Sequence, residues 1–142
     1  MKKLLAVIDY QNDFVDGALG FAGADLIEDE IIRLIKEFKD NKDDVVFTMD
    51  THQENYMSTV EGEKLPVSHC IKGSDGWKIR PRVAELIDDS LVFQKGTFPS
   101  LELANFIHEH KDEYEEIWLC GLVSDICVFS NAVMAKAAVS DT

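Results

Sequence analysis

The sequence has 142 residues, 46% of them hydrophobic, and a formal net charge of −13. This length and hydrophobicity predict one globular domain over residues 1–142 and exclude a disordered chain. The negative charge repels phosphate backbones and anionic membrane surfaces, which argues against nucleic acid or a membrane as a main partner. No apolar run approaches the ~18 residues of a membrane-spanning helix.

The first half of the chain predicts two strands and one long helix. The continuous apolar run over residues 3–8 is typical of a buried parallel strand. After a loop, apolar residues recur at helical spacing over residues 26–38, and residues 45–49 predict a second strand. Residues 51–75 have weak periodicity and predict a long loop, which in a compact domain is usually functional.

The second half predicts two further strands, residues 91–94 and 117–120. Its helices are predicted after Pro81, over residues 101–110 behind a Ser100 N-cap, and over residues 128–139. Alternating strands and helices predict a three-layer, doubly wound α/β fold with a parallel sheet of Rossmann-like order. The chain stops after a helix, where such a sheet expects a strand. We therefore expect the domain to lack its C-terminal strands.

Polar residues stand where the four predicted strands end. Asp9, Asp50 and Lys95 follow the first three strands, and Cys127 comes shortly after the fourth. Because the carboxyl ends of parallel strands share one edge of the sheet, we expect these side chains to converge there. Each residue alone has a simpler interpretation: a loop cap, a solvated strand end or a buried small hydrophobic residue. The convergence is what favours a catalytic site.

Cys127 is predicted to lie in the first turn of a helix, because Ser124 and Asp125 are good N-cap residues. The N–H groups and positive dipole end of that turn favour a thiolate over a thiol. Lys95 lowers the pKa of a nearby carboxyl or thiol, and Asp9 can accept the thiol proton. Backbone N–H groups of the same turn can stabilise an oxyanion. Together these residues predict a nucleophile, a base and a cation.

A second set of residues predicts a divalent-metal site. Asp50 and His52 are two residues apart at a strand end, and His69 follows in the long loop. One carboxylate and two imidazoles can bind a metal while leaving positions open for water or substrate. Glu61 or Glu63 is a candidate further ligand, and their spacing does not decide between them. The simpler alternative is a loop histidine that hydrogen-bonds to the backbone.

The three cysteines, Cys70, Cys120 and Cys127, lack metal-type pair spacing. Residues 4–8 are too short an apolar run for a secretory signal peptide. Free thiols and a cytoplasmic location are therefore expected.

Five stretches stand in an order that matches a known family: residues 7–14, 48–52, 65–73, 94–98 and 121–128. They resemble the motifs of the isochorismatase-like cysteine hydrolases and, within them, of the nicotinamidase-related amidases. By this resemblance Asp9, Lys95 and Cys127 correspond to the Asp-Lys-Cys catalytic triad of the family.

The resemblance also implies a metal site and a substrate pocket. Asp50, His52 and His69 correspond to the ligands of zinc or a similar divalent ion, which in nicotinamidases holds the pyridine nitrogen. A non-proline cis peptide bond is implied between Leu122 and Val123, where it shapes the oxyanion hole together with the Cys127 amide. Phe14 and Gln11 are assigned to the substrate pocket.

The resemblance and the strand-end residues together predict a cysteine-dependent hydrolase of a small amide. The thiolate attacks the carbonyl, ammonia or an amine leaves, and water hydrolyses the acyl-enzyme. A homo-oligomer is also expected, because missing strands leave a sheet edge exposed. Two alternatives stay open: a phosphoacceptor receiver domain, and a non-catalytic relative that binds a partner through the same fold.

Overall fold

A four-stranded parallel sheet forms the centre of the computed structural model, which describes residues 1–139. The strands are β1 (Lys2–Ile8), β2 (Asp44–Asp50), β3 (Val92–Lys95) and β4 (Tyr114–Gly121). Their spatial order is β3-β2-β1-β4, and all neighbouring pairs are parallel. Each predicted strand is present with slightly different ends, and the predicted α/β fold is confirmed. The expected lack of C-terminal strands stays a prediction.

Over residues 1–139, six α-helices and several short turns lie between the strands or after the last of them. The helices are α1 (Asn12–Val15), α2 (Glu28–Asp40), α3 (Val60–Lys64), α4 (Pro81–Ala84), α5 (Leu101–Glu109) and α6 (Phe129–Ala138). The 3₁₀ turns are Ala24–Ile27, Tyr56–Ser58 and Lys111–Glu113. The segment predicted as a long loop therefore contains α3 and a 3₁₀ turn. Within residues 1–139 no helix is long and apolar enough to span a bilayer.

Side chains of β1 alternate between the two faces of the sheet, as the pleat of a strand requires. Leu5 and Val7 join a core cluster with Ile35 of α2, whereas Leu4 and Ile8 join a second cluster with residues of α5 and α6. Both faces of β1 are thus covered, which explains its uninterrupted apolar sequence. The three-layer arrangement follows from this double burial.

Gly121 ends β4 opposite Ile8, the last residue of β1. Its φ of +116° lies in the region that favours glycine, and a Cβ atom there would lie 2.0 Å from the Ile8 carbonyl oxygen. The next amide, of Leu122, donates to the same oxygen at 2.9 Å. Glycine at this position therefore lets the chain after β4 cross directly over the end of β1.

Ser100 caps α5 as the sequence predicts. Its Oγ accepts a hydrogen bond from the Leu103 amide at 3.0 Å, and the residue is buried. We expect Ser100→Ala to lower the free energy of unfolding by about 1 kcal/mol, because one amide of the first turn loses its acceptor. Denaturant unfolding measures this change. Ser58→Ala is the matched control, since Ser58 is exposed; an equal loss in both variants would contradict the capping role.

Candidate active site

The four residues predicted at the strand ends converge at one edge of the sheet. Asp9 follows β1, Asp50 and Lys95 end β2 and β3, and Cys127 lies in the turn after β4; all four are buried. Lys95 Nζ lies 2.6 Å from Asp9 Oδ2 and 3.8 Å from Asp50 Oδ1. Lys95 therefore reaches across β2 and contacts both carboxylates.

Asp9 is the candidate base. Its backbone turns away from β1 with a φ of +48°, and Thr48 Oγ1 donates to its Oδ1 at 2.6 Å. Its Oδ2 faces Lys95 Nζ without an aligned hydrogen bond. Burial raises the pKa of Asp9, and the charge of Lys95 opposes this shift without cancelling it. A buried carboxylate with a raised pKa is suited to taking a proton.

Lys95 stays an ammonium in this site. Burial lowers the pKa of its side chain, but the charges of Asp9 and Asp50 outweigh burial and raise the pKa above its ordinary value. Its Nζ also donates to the Thr97 carbonyl at 3.0 Å. The cation therefore offsets the two neighbouring carboxylates in a buried position where unpaired charges would be unstable.

Cys127 lies in a single π-helical turn, Ser124–Val128, that leads into α6. The predicted N-caps are wrong: the capping position is Val123, and no side chain caps the turn, because Ser124 and Asp125 lie inside it. The prediction that Cys127 is a thiolate is also wrong for the free enzyme, in which the thiol form is favoured. Burial and the negative charge of Asp9 together raise the pKa of Cys127 to about 12, and the charge of Lys95 only partly opposes this shift. Nucleophilic attack from this site therefore needs a base.

The peptide bond between Leu122 and Val123 is cis, as the resemblance implies. Leu122 is buried in the core cluster that contains Ile35 of α2. The Val123 carbonyl accepts the amides of Ile126 and Val128, both at 3.1 Å. These bonds close the turn around Cys127, while the oxyanion-hole role of this segment stays a prediction.

Asn131 is a buried polar residue that the sequence analysis missed. Its Nδ2 donates to the Cys127 carbonyl at 2.8 Å and to the Phe98 carbonyl at 3.2 Å, and its Oδ1 accepts the Ser100 amide at 2.9 Å. The side chain thus joins the turn of Cys127 to the segment that follows Lys95. The available signal was an asparagine in a helix rich in alanine.

The predicted metal ligands form one buried cluster. Asp50 Oδ2 lies 3.1 Å from His52 Nε2 and 3.3 Å from His69 Nε2, and the three ligand atoms all lie within 4.8 Å of one another. His69 Nδ1 donates to the Val67 carbonyl at 2.7 Å, so its Nε2 is left to face the cluster. One carboxylate and two imidazoles on a common centre fit a divalent ion such as zinc.

The two histidines of this cluster stabilise the ionised form of Asp50. Burial raises the pKa of Asp50, but hydrogen bonds from His52 and His69 outweigh it and hold that pKa well below its usual range. Glu61 Oε2 lies 3.6 Å from His52 Nε2, whereas Glu63 is exposed. Of the two candidate further ligands, Glu61 is therefore the one that faces the cluster.

Two aromatic rings pack against the histidines. Tyr56 lies with its ring centroid 4.7 Å from that of His52 and 4.9 Å from that of His69, and Phe14 lies 5.6 Å from His69. Phe14 is thus beside the cluster, as expected for a pocket residue. Gln11 is fully buried, and its side-chain amide bonds to the backbone of Asp50 and to the carbonyl of Trp77. Its assignment to the substrate pocket stays a prediction.

A family model described as the isochorismatase domain matches residues 3–138. The chain belongs to the isochorismatase family. A protein of Bacillus subtilis (strain 168) named "uncharacterized isochorismatase family protein PncA" is 35% identical over 148 residues, which cover 95% of this chain and 79% of that protein. This membership removes the receiver-domain alternative.

Solved structures of this family superpose closely on the chain. The nicotinamidase PncA of Bacillus subtilis is 32% identical, with a TM-score of 0.81, over 96% of this chain and 80% of the other. The pyrazinamidase of Pyrococcus horikoshii in complex with zinc is 26% identical, with a TM-score of 0.82, over 97% and 80%. Membership of this family and similarity to its nicotinamidases show that the chain is an amidohydrolase that acts on a C–N bond.

Proposed function

We propose that this chain hydrolyses a small amide carried on a nitrogen heterocycle, of the nicotinamide type, with Cys127 as the nucleophile. The observation that carries the proposal is the Asp9–Lys95 ion pair of 2.6 Å in the buried site that Cys127 shares. A base and a cation at the nucleophile, beside a three-ligand metal cluster, match amide hydrolysis. The nicotinamidase relatives support the same substrate class.

The first half of the reaction forms the acyl-enzyme. The thiol proton of Cys127 passes to Asp9, and Sγ attacks the amide carbonyl carbon. Backbone N–H groups of the segment from Leu122 to Cys127 stabilise the resulting oxyanion. The C–N bond then breaks, and Asp9 returns the proton to the departing nitrogen, which leaves as ammonia. Lys95 holds Asp9 in place and offsets its charge throughout.

The second half regenerates the enzyme. Asp9 removes a proton from a water molecule, whose oxygen attacks the thioester carbon. The C–S bond breaks, the acid product leaves, and Cys127 recovers its proton from Asp9. The same carboxylate thus serves as base and acid in both halves, for which its raised pKa is suited.

Asp50, His52 and His69 are proposed to hold a divalent ion, with zinc the ion that best suits one carboxylate and two imidazoles. When bound, this ion supplies a Lewis acid that attracts a ring nitrogen of the substrate and so orients the amide. Phe14 and Tyr56 pack on the histidines and can line the space beside the ring. Glu61 is the candidate further ligand.

The remaining proposals concern the setting of the enzyme. We propose a cytoplasmic location, which the three free cysteines support because such thiols persist in a reducing compartment. We also propose a homo-oligomer in which a second copy covers an exposed sheet edge.

Ammonia release from nicotinamide and from benzamide tests the proposed function. We expect the zinc-loaded enzyme to hydrolyse nicotinamide and to act at least about 10-fold more slowly on benzamide, which has no ring nitrogen, since one lost interaction of about 1.4 kcal/mol gives this factor. Dialysis against a chelator should remove the preference. Saturable binding of nicotinamide without any ammonia release would instead support the non-catalytic alternative.

A further inference from the structure

Asp50 ends β2 two residues beyond the last residue of β2 that pairs with β1. The β1–β2 pairing ends at Ile8 and Thr48. In a parallel strand the backbone groups of successive residues face alternate neighbours, and the Thr51 amide donates to Lys95 of β3. The N–H and C=O of Asp50 therefore face the β1 side, where the chain has already turned away.

Gln11 supplies the partner that β1 no longer offers. Its Oε1 accepts the Asp50 amide at 2.9 Å, and its Nε2 donates to the Asp50 carbonyl at 2.8 Å. The second N–H of the amide donates to the Trp77 carbonyl at 2.7 Å. This side chain is fully buried, so a change that removed it would leave the Asp50 backbone unpaired away from water.

Asp13, two residues further on, contacts the segment that carries another histidine ligand. Its Oδ2 accepts the amide of Cys70 at 2.8 Å, and its Oδ1 accepts that of Ala18 at 3.3 Å. Cys70 directly follows His69 and has a φ of +48°. The Cys70 carbonyl in turn accepts the amide of His52 at 2.9 Å. One carboxylate thus fixes the backbone between two candidate ligands.

We propose that Gln11 and Asp13 are positioning residues of the metal centre. Neither side chain is a ligand; each holds the backbone that carries one, Gln11 at Asp50 and Asp13 beside His69. The inference rests on the proposed metal function of this cluster. Because α1 and its preceding residues also follow Asp9, one short segment sets the spacing between the catalytic base and the metal ligands.

Metal binding by purified protein tests this role without depending on turnover. We expect Gln11→Met and Asp13→Asn each to weaken zinc binding by roughly 10–100-fold, as removal of a group that orients a ligand does. Competition with a chromophoric chelator measures the affinity. The visible absorption of bound Co²⁺ should change in both variants, because it reports the geometry of the ligands. Asp13→Asn keeps the test available if Gln11→Met does not fold.

Asn12→Ala is the matched control. Asn12 lies between the two residues. Its Nδ2 donates to the Asp75 carbonyl at 2.8 Å and its Oδ1 accepts a long bond of 3.4 Å from Arg80, neither of which is a candidate metal ligand. This variant should lose these hydrogen bonds and some thermal stability while zinc affinity and the Co²⁺ spectrum stay unchanged. If both test variants kept the zinc affinity and the Co²⁺ spectrum of the wild type, the positioning role of Gln11 and Asp13 would be wrong, while the proposed metal centre would stand. Failure of the wild type to bind zinc would overturn the proposed metal centre together with that role.

Discussion

Cys127→Ala is expected to lower the rate of amide hydrolysis by about 10⁴-fold or more, because loss of a nucleophile removes the covalent route altogether. The thiol is buried, and the alanine methyl leaves the apolar packing around the turn largely in place. The fold should therefore be retained. Ammonia release from nicotinamide measures the rate, and intact mass after iodoacetamide treatment shows whether a reactive thiol is left.

Cys120→Ala is the matched control for this experiment. Cys120 lies in β4, and burial alone raises the pKa of its thiol to about 12. No charged group of the candidate site shifts that pKa, so this thiol is expected to be structural. The control should keep its rate within a few fold of the wild type. Normal turnover in Cys127→Ala would remove the proposed mechanism.

Lys95→Met is expected to reduce both activity and stability. The substitution keeps an unbranched side chain, one atom shorter than lysine, but leaves Asp9 buried without its cation, and such a loss costs about 3–5 kcal/mol. Turnover should fall by at least about 10²-fold, the usual contribution of a general acid–base group, because Asp9 becomes protonated and cannot take the thiol proton. Urea unfolding and ammonia release measure the two effects.

The loss of stability in Lys95→Met should depend on pH. Burial raises the pKa of Asp9, and without Lys95 this pKa rises further above the value of about 3.9 for an unfolded chain. The folded variant then keeps a proton that the unfolded chain releases, so stability is lost as the pH rises. In metal-free protein, the deficit relative to the wild type should therefore grow as the pH rises above the pKa of Asp9 in the folded wild type, which is itself raised. A deficit independent of pH would contradict the Asp9–Lys95 coupling.

Lys78→Met serves as the control for Lys95→Met. Lys78 pairs with Asp75 at 3.0 Å, but both side chains are exposed, and exposed pairs contribute little. The same chemical change at that position should leave turnover and its pH dependence unchanged. Comparison of the two variants separates the effect of breaking a buried ion pair from the effect of replacing any lysine by methionine.

Much of the candidate site was predictable because parallel sheets obey a simple rule. The apolar runs that precede Asp9, Asp50 and Lys95 mark strands, and strands of a parallel sheet end at one edge. The position of Cys127 after a fourth strand follows in the same way. The geometry confirms this convergence, although the roles of these residues stay proposals.

Other features depended on burial and on contacts between distant residues. The predicted thiolate of Cys127 assumed that a helix N-terminus dominates, whereas burial of the thiol outweighs it. The contacts of Gln11 with Asp50 and of Asn131 with Ser100 span 39 and 31 residues. No local sequence pattern identifies such partners, because these contacts depend on where the buried backbone groups lie in the folded chain.

The sequence by itself determined the order of strands and helices, the polar residues at the strand ends and the family resemblance. These follow from periodicity and from motifs of adjacent residues. Only the tertiary structure decided that Lys95 joins Asp9 to Asp50, that Glu61 rather than Glu63 faces His52, and that Gln11 pairs with the backbone. The reason is physical: such choices depend on distances and on exclusion of water, which arise only when separate elements pack together.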